Sequence, residues 1–261
     1  MRGDGSTGSP QHQRLNARGV KVPEITAYFW FLKLLTTAMG EATSDYLVNR
    51  IDPFVAVAFG GVFFLVALAL QFASSTYVAW RYWLTVVSVA VFGTMCADAL
   101  HIQLHVPYVV TTVLFAVVLA CVFILWDRSE HTLSIHAITT PRRELFYWAT
   151  VLSTFALGTA AGDLTATTLG LGYFSAGLLF AGLIAVTALA YCRLRLNAVA
   201  TFWTAYVLTR PVGASFADWS DKPHAVGGLN GGDGPVAAWL TVAIVVVVLF
   251  LQLTQRDVQR G

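Results

Sequence analysis

Eight apolar runs, each close to the length of a membrane-crossing helix, leave this chain few folds to choose from. They fall at about 26–47, 54–72, 78–99, 107–126, 144–165, 173–192, 199–218 and 236–254. Inside hydrocarbon every backbone N–H and C=O must be paired within its own helix or around a closed barrel. Runs of about 17 to 25 residues suit helices, since barrel strands need only about half that length. Composition agrees, with 57% hydrophobic and 11% charged residues. The expected fold is an all-α integral membrane protein with eight transmembrane helices and the lipid bilayer as its main partner. A formal net charge of +2 gives no basic surface that would suit nucleic acid.

The runs repeat internally. Trp30, Gly40 and Asp45 are spaced ten and five apart, and the same intervals recur at Trp83, Gly93, Asp98, at Trp148, Gly158, Asp163 and at Trp203, Gly213, Asp218. A W-x9-G-x4-D pattern carried by alternate runs is the mark of an internal repeat. Each unit is one motif-bearing span followed by a plainer apolar one. Two-span units keep one orientation, so the four are expected to be parallel repeats about an axis along the membrane normal. The expected division is a disordered cytoplasmic tail at 1–22, repeats at 23–76, 77–127, 141–195 and 196–255, a cytoplasmic linker at 128–140 and a short tail at 256–261. Residues 1–19, polar and without an apolar core, do not read as a cleaved signal peptide.

Twelve of the sixteen Lys and Arg residues fall on the side that holds both termini and the loops after the even-numbered spans. The positive-inside rule then places both termini in the cytoplasm. The Trp residues are expected in the cytoplasmic aromatic belt, and the Asp residues about 22 Å further along each helix, towards the outer boundary. Cys96, Cys121 and Cys192 lie within apolar runs and read as packing residues.

The chemistry lies along one stripe. Steps of four give Lys33, Thr37, Glu41, Asp45 in the first unit, Val86, Ala90, Thr94, Asp98 in the second, Val151, Phe155, Thr159, Asp163 in the third and Tyr206, Arg210, Ala214, Asp218 in the fourth. Residues four apart adjoin on a helix surface. If the stripes face inward, Glu41, Asp45, Asp98, Asp163 and Asp218 meet, with Lys33 and Arg210 as charge-balancing partners, and five acids against two bases leave three excess negative charges. Such a group needs protons, metal cations or water to neutralise it. The plainer alternative makes each Asp a helix end facing water and each Gly a packing contact. Pro211 is expected to kink its span.

Asp98, His101 and His105, at i, i+3 and i+7, form a weaker candidate metal set, provided the third span continues past Asp98. His131 and His136 read as solvated linker residues, and "GGLNGGDGP" at 227–235 as a flexible outer loop. The sequence calls for no resident cofactor.

The segments "KVPEITAYFWFLKLLTTAMGEATSDYL", "LSIHAITTPRRELFYWATVLSTFALGTAAGDL" and "LNAVATFWTAYVLTRPVGASFADW" resemble bacterial uncharacterised membrane-anchored proteins built from four copies of a repeat of unknown function. The resemblance runs from Lys21 to the last span. It implies four repeats and a bacterial inner-membrane location, and it carries no activity. On the residues, the expected function is transport or export of a cation, a hard divalent metal such as Mn2+ or Mg2+ or a small cationic solute, with protonation of the crowded carboxylates as the means of proton coupling. Glu41, Asp45, Asp98, Asp163 and Asp218 would bind it with the hydroxyls of Thr37, Thr94 and Thr159. The alternatives are an intramembrane enzyme acting on a lipid or amphipathic substrate and a structural or sensory membrane protein. The oligomeric state is left open.

Overall fold

The computed structural model describes residues 19–259, and the tail at 1–18 and the last two residues lie outside the described part. Eight long helices follow one another: α1 (Ala27–Val48), α2 (Pro53–Phe72), α3 (Ala79–Asp98), α4 (Tyr108–Glu130), α5 (Pro141–Asp163), α6 (Tyr173–Leu194), α7 (Ala198–Asp221) and α8 (Asp233–Thr254). The described residues contain no strand. Local chemistry sets several starts. Thr26, Asp52, Thr140 and Asn197 accept backbone N–H groups of the first turn, and Pro53 and Pro141 occupy first helical positions, where a missing N–H is harmless. α3 and α5 each continue past their motif Asp into a π-helical turn, Ala99–Gln103 and Leu164–Thr168.

The four motif helices α1, α3, α5 and α7 form a closed inner ring, each packed against the next and α7 against α1. The plainer helices lie outside, and each packs chiefly on the motif helix that follows it in the chain: α2 on α3, α4 on α5, α6 on α7. α8 completes the series by packing on α1. Each sequence unit therefore lends its second helix to the next unit, and the chain ends close the circle. The seam is tied by Glu24 N–H to the Asp257 carbonyl (2.8 Å), Gln259 to the Pro23 carbonyl (3.3 Å) and Tyr28 against Phe250 (5.7 Å between rings).

Among the described residues, six helices are long and apolar enough to cross a membrane: α2, α3, α4, α5, α6 and α8. α1 and α7 fall outside that group, and both carry ring charges, Lys33, Glu41 and Asp45 on one and Arg210, Asp218 and Asp221 on the other. Position explains the difference. The outer helices are the more apolar and are mostly exposed, whereas α3 and α5 are less apolar and more than half buried. In a bilayer, ionisable residues of a helix almost always face the bundle interior, so enclosed helices can be less apolar than those that meet lipid.

The ring is held by its glycines. A Cβ on Gly40 would lie 2.6 Å from Ala90 Cβ, one on Gly93 2.7 Å from Phe155 Cβ, one on Gly158 2.3 Å from Arg210 Cγ and one on Gly213 1.9 Å from Thr37 Oγ1. In all four cases the neighbour is the residue eight before the next helix's motif Asp. The same contact is thus made four times in one rotational sense, and it is the close approach that only glycine allows. The helix-packing contact that the plainer alternative gave these glycines is seen directly.

The tryptophans do not form a surface belt. Trp83, Trp148 and Trp203 are buried, and Trp30 is half-buried. Each stands edge-on to the aromatic residue before it, Phe29, Tyr82, Tyr147 or Phe202, at 5.1 to 5.3 Å. They make an aromatic floor inside the ring, and Trp203 Nε1 donates to the Leu133 carbonyl in the segment between α4 and α5 (2.9 Å).

Candidate functional site

The motif stripes do face inward, and they stack in layers. Uppermost are the four Asp residues, then Glu41, Thr94, Thr159 and Ala214, then Thr37, Ala90, Phe155 and Arg210, then Lys33, Val86, Val151 and Tyr206. Every residue of the lower three layers is buried. Asp98, Asp163 and Asp218 are also buried, and Asp45 is half-buried.

Arg210 occupies the ring axis. It has no exposed surface, and its guanidinium donates to Glu41 Oε2 (2.5 Å), to Thr159 Oγ1 (2.6 Å), to the Thr94 hydroxyl and to the Thr37 carbonyl (3.2 Å). One α7 side chain therefore binds α1, α3 and α5 at once. The fork of a guanidinium suits this, since its donors are fixed in a plane. The Thr94 and Thr159 hydroxyls are both engaged by Arg210, and Thr37 Oγ1 donates to the Leu34 carbonyl of its own helix (2.7 Å).

Above this plug the carboxylates converge. One oxygen each from Glu41, Asp45 and Asp218 lies within 4.8 Å of the other two. Asp98 Oδ2 accepts from Ser44 Oγ (3.4 Å), and Asp98 and Asp163 stand outside that triple. The sequence brings five acids to one end of the ring, and the structure gathers three of them tightly.

Lys33 is not their counter-ion. Among the described residues its ammonium has no hydrogen-bond partner, and it lies 3.9 Å from the Phe155 ring centre and 4.1 Å from that of Tyr206, in the layer beneath Arg210. Two ring faces offer a cation–π setting in place of the expected carboxylate. The second base at the acidic end is Lys222, the residue just after α7. It pairs with Asp45, and its Nζ is 3.8 Å from Asp218, 3.9 Å from Asp221 and 3.9 Å from Asp233. Burial alone would lower the Lys222 pKa, but the fields of Asp45, Asp218 and Asp221 outweigh it and hold the ammonium above the usual lysine range.

The histidine set does not assemble. The π-helical turn at Ala99–Gln103 shifts the spacing that would have aligned Asp98, His101 and His105. His101 instead stacks on Tyr108 (3.5 Å) and its Nδ1 meets the Val106 carbonyl (2.8 Å), while His105 is exposed in a left-handed conformation. His131 and His136 are exposed, as expected of loop residues. The glycine-rich segment after α7 is not a free loop: Leu229, Asn230, Gly231 and Gly232 donate backbone N–H groups to Trp219, Lys222, Ser220 and Asp221. α7 passes through Pro211 as one continuous helix.

A second ionic cluster lies at the tryptophan end, and the sequence reading missed it. Lys21, assigned to the tail, is buried and donates to Glu144 Oε2 (2.6 Å), whose other oxygen accepts from Gln71 Nε2 (3.0 Å). No local spacing links residues 123 apart. The aromatic residue before each motif Trp was visible, however, and would have signalled the aromatic floor.

Three segments of the chain, 81–132, 146–197 and 201–257, match the model described as Repeat of Unknown Function (DUF347), and together they span more than half of it. The chain belongs to this repeat family. Each family match begins two residues before a motif tryptophan, at Trp83, Trp148 and Trp203, so the family's repeat and the W-x9-G-x4-D unit share one register. No curated protein and no solved structure matches the chain.

Proposed function

We propose that this member of the repeat family is an eight-span protein of the bacterial inner membrane, with both termini in the cytoplasm, that carries a cation along the axis of its ring. The fourth copy of the repeat would begin at Tyr28, in the register of the other three, with Gly40 against Ala90 making the same contact. α1 and α7 would cross with α3 and α5, whose layers they share. A hard divalent ion such as Mn2+ or Mg2+, or a small cationic solute, would enter at the acidic end, where oxygen ligands and net negative charge suit it. The lysine and arginine bias supports the orientation.

The observation that carries this reading is the meeting of Glu41, Asp45 and Asp218 directly above a buried arginine. Arg210 closes the axis in this arrangement, and it must leave Glu41 before anything passes. A carboxylate binds metal only when deprotonated, so cation and protons compete for the same oxygens, and that competition is the basis for coupling. An intramembrane enzyme would draw on Asp98 with His101 and His105, and these do not converge: His101 stacks on Tyr108 and His105 is exposed.

Equilibrium binding of Mn2+ to the purified protein, followed by electron paramagnetic resonance, tests the site. Asp218→Asn is expected to weaken binding by about tenfold or more, as loss of a ligand does, with cooperative unfolding retained. Equal affinity in Asp218→Asn and wild type would rule out the axial carboxylates as the binding site.

A further inference from the structure

The acidic end holds a second group of carboxylates beyond the axial triple. Oxygens of Asp45, Asp221 and Asp233 also lie within 4.8 Å of one another. Asp221 and Asp233 border an open cavity of about 480 Å3 together with Asn49, Arg50 and Lys222. Asp221 is the telling member. Its side chain has no exposed surface, and neither of its oxygens has a hydrogen-bond partner among the described residues, although it lines that cavity. A buried carboxylate with both oxygens unbonded is costly unless a cation faces it.

A cation does face it, and the chain itself supplies it. The Lys222 ammonium stands among Asp45, Asp218, Asp221 and Asp233, paired with the first and 3.8 to 3.9 Å from the other three. Only the Asp45 contact is a hydrogen bond, so the arrangement is that of a charge held in a cage. Asn49 Nδ2 steadies Asp233 Oδ2 (3.1 Å) from the α1 side. The Gly-rich segment fixes the lysine backbone: Asn230 N–H donates to the Lys222 carbonyl (2.8 Å), and a Cβ on Gly228 would fall 2.0 Å from that oxygen.

We infer that Asp45, Asp221 and Asp233 form a mouth site for a hard divalent cation, and that Lys222 is a tethered surrogate which an incoming ion must displace. The ligands are all oxygen, as Mg2+, Mn2+ and Ca2+ require, and a lysine stem is long and flexible enough to swing its head out into the cavity. The tether sets a threshold. An external ion competes with an ammonium present at high effective concentration, so affinity stays low until Lys222 is removed. This site goes beyond the transport reading and stands without it, since occupancy of the mouth needs no passage through the ring.

Thermal unfolding of the full chain in detergent tests it, with MgCl2, MnCl2 or CaCl2 titrated against NaCl of equal ionic strength. Wild type is expected to respond weakly. Lys222→Met is expected to gain Tm with divalent ion at about tenfold or more lower concentration, as binding to the folded state alone dictates, and Lys222→Met/Asp221→Asn to lose that gain. A Lys222→Met protein no more sensitive to divalent ions than wild type overturns the inference, as does a response that survives Asp221→Asn. If Lys222→Met does not fold, Asp221→Asn with Lys222 in place decides: its millimolar Mn2+ binding should fall about tenfold, and unchanged binding overturns the site. Loss of ion flux with these responses intact would count against transport alone.

Discussion

Gly213 on α7 lies so close to Thr37 on α1 that a methyl group there would stand 1.9 Å from the threonine hydroxyl oxygen. This is the contact that closes the ring, joining the last motif helix to the first. Gly213→Ala is expected to destabilise the fold by about 1–3 kcal/mol, as overpacking in a filled core does. Gly182→Ala on α6, where nothing lies within 4 Å, should leave stability unchanged or slightly raised. Thermal unfolding of the two variants in one detergent compares them directly; equal Tm values would mean that the ring seam is looser than described.

Arg210 and Glu41 form an enclosed pair. Removing one partner leaves a buried charge, so Arg210→Met is expected to cost about 3–5 kcal/mol, whereas Arg210→Met/Glu41→Gln should recover much of it. A double-mutant cycle measures the coupling. Additive losses would show that the two side chains do not depend on each other.

Lys33 has two aromatic rings and no carboxylate. Lys33→Met should therefore stay within about 2 kcal/mol of wild type, the scale of a desolvated cation–π contact. Denaturant unfolding gives the value, and a much larger loss would require an anionic partner that the layer does not contain.

The Lys21–Glu144 pair pins the N-terminal segment across the tryptophan end. Lys21→Ala is expected to expose residues 19–26 to protease while the helices remain resistant. Cleavage rates equal to wild type would show that Gln71 and the backbone bonds hold the segment unaided.

Lys222 sets a pH dependence with a definite sign. Its pKa is raised in the folded protein, so its contribution is fully present below the unfolded value of about 10.4 and is lost as pH rises beyond it towards the folded value. The Tm difference between wild type and Lys222→Met should be flat from about pH 8 to pH 10 and shrink above that. A difference that disappears near neutrality would contradict the cage of carboxylates.

Much of the fold was legible because it is local and periodic. Apolar length placed all eight helices within a few residues, and the repeat spacing put Asp45, Asp98, Asp163 and Asp218 at one end of the ring. Register in the other direction was hidden. Nothing in the sequence says that α2 packs on α3 more than on α1, or that α8 reaches back to α1, since both depend on how units fit together. The carboxylate Lys33 would have met is replaced by Tyr206 of its own layer and Phe155 of the layer above, both on other helices. His101 was misread because a π-helical turn has no strong sequence signature, and Lys222 went unmarked because a loop position says little about what the loop folds against.

The central claim is that a cation moves along the axis, past the point where Arg210 meets Glu41. Purified protein in liposomes, with metal-sensitive and pH-sensitive dyes inside and Mn2+ or Mg2+ outside, measures it most directly, with Asp218→Asn as the control. The account predicts divalent entry with counter-movement of protons in wild type, and neither in the variant. Folded wild-type protein that passes no ion, or an Asp218→Asn variant that passes ions as fast as wild type, would contradict it.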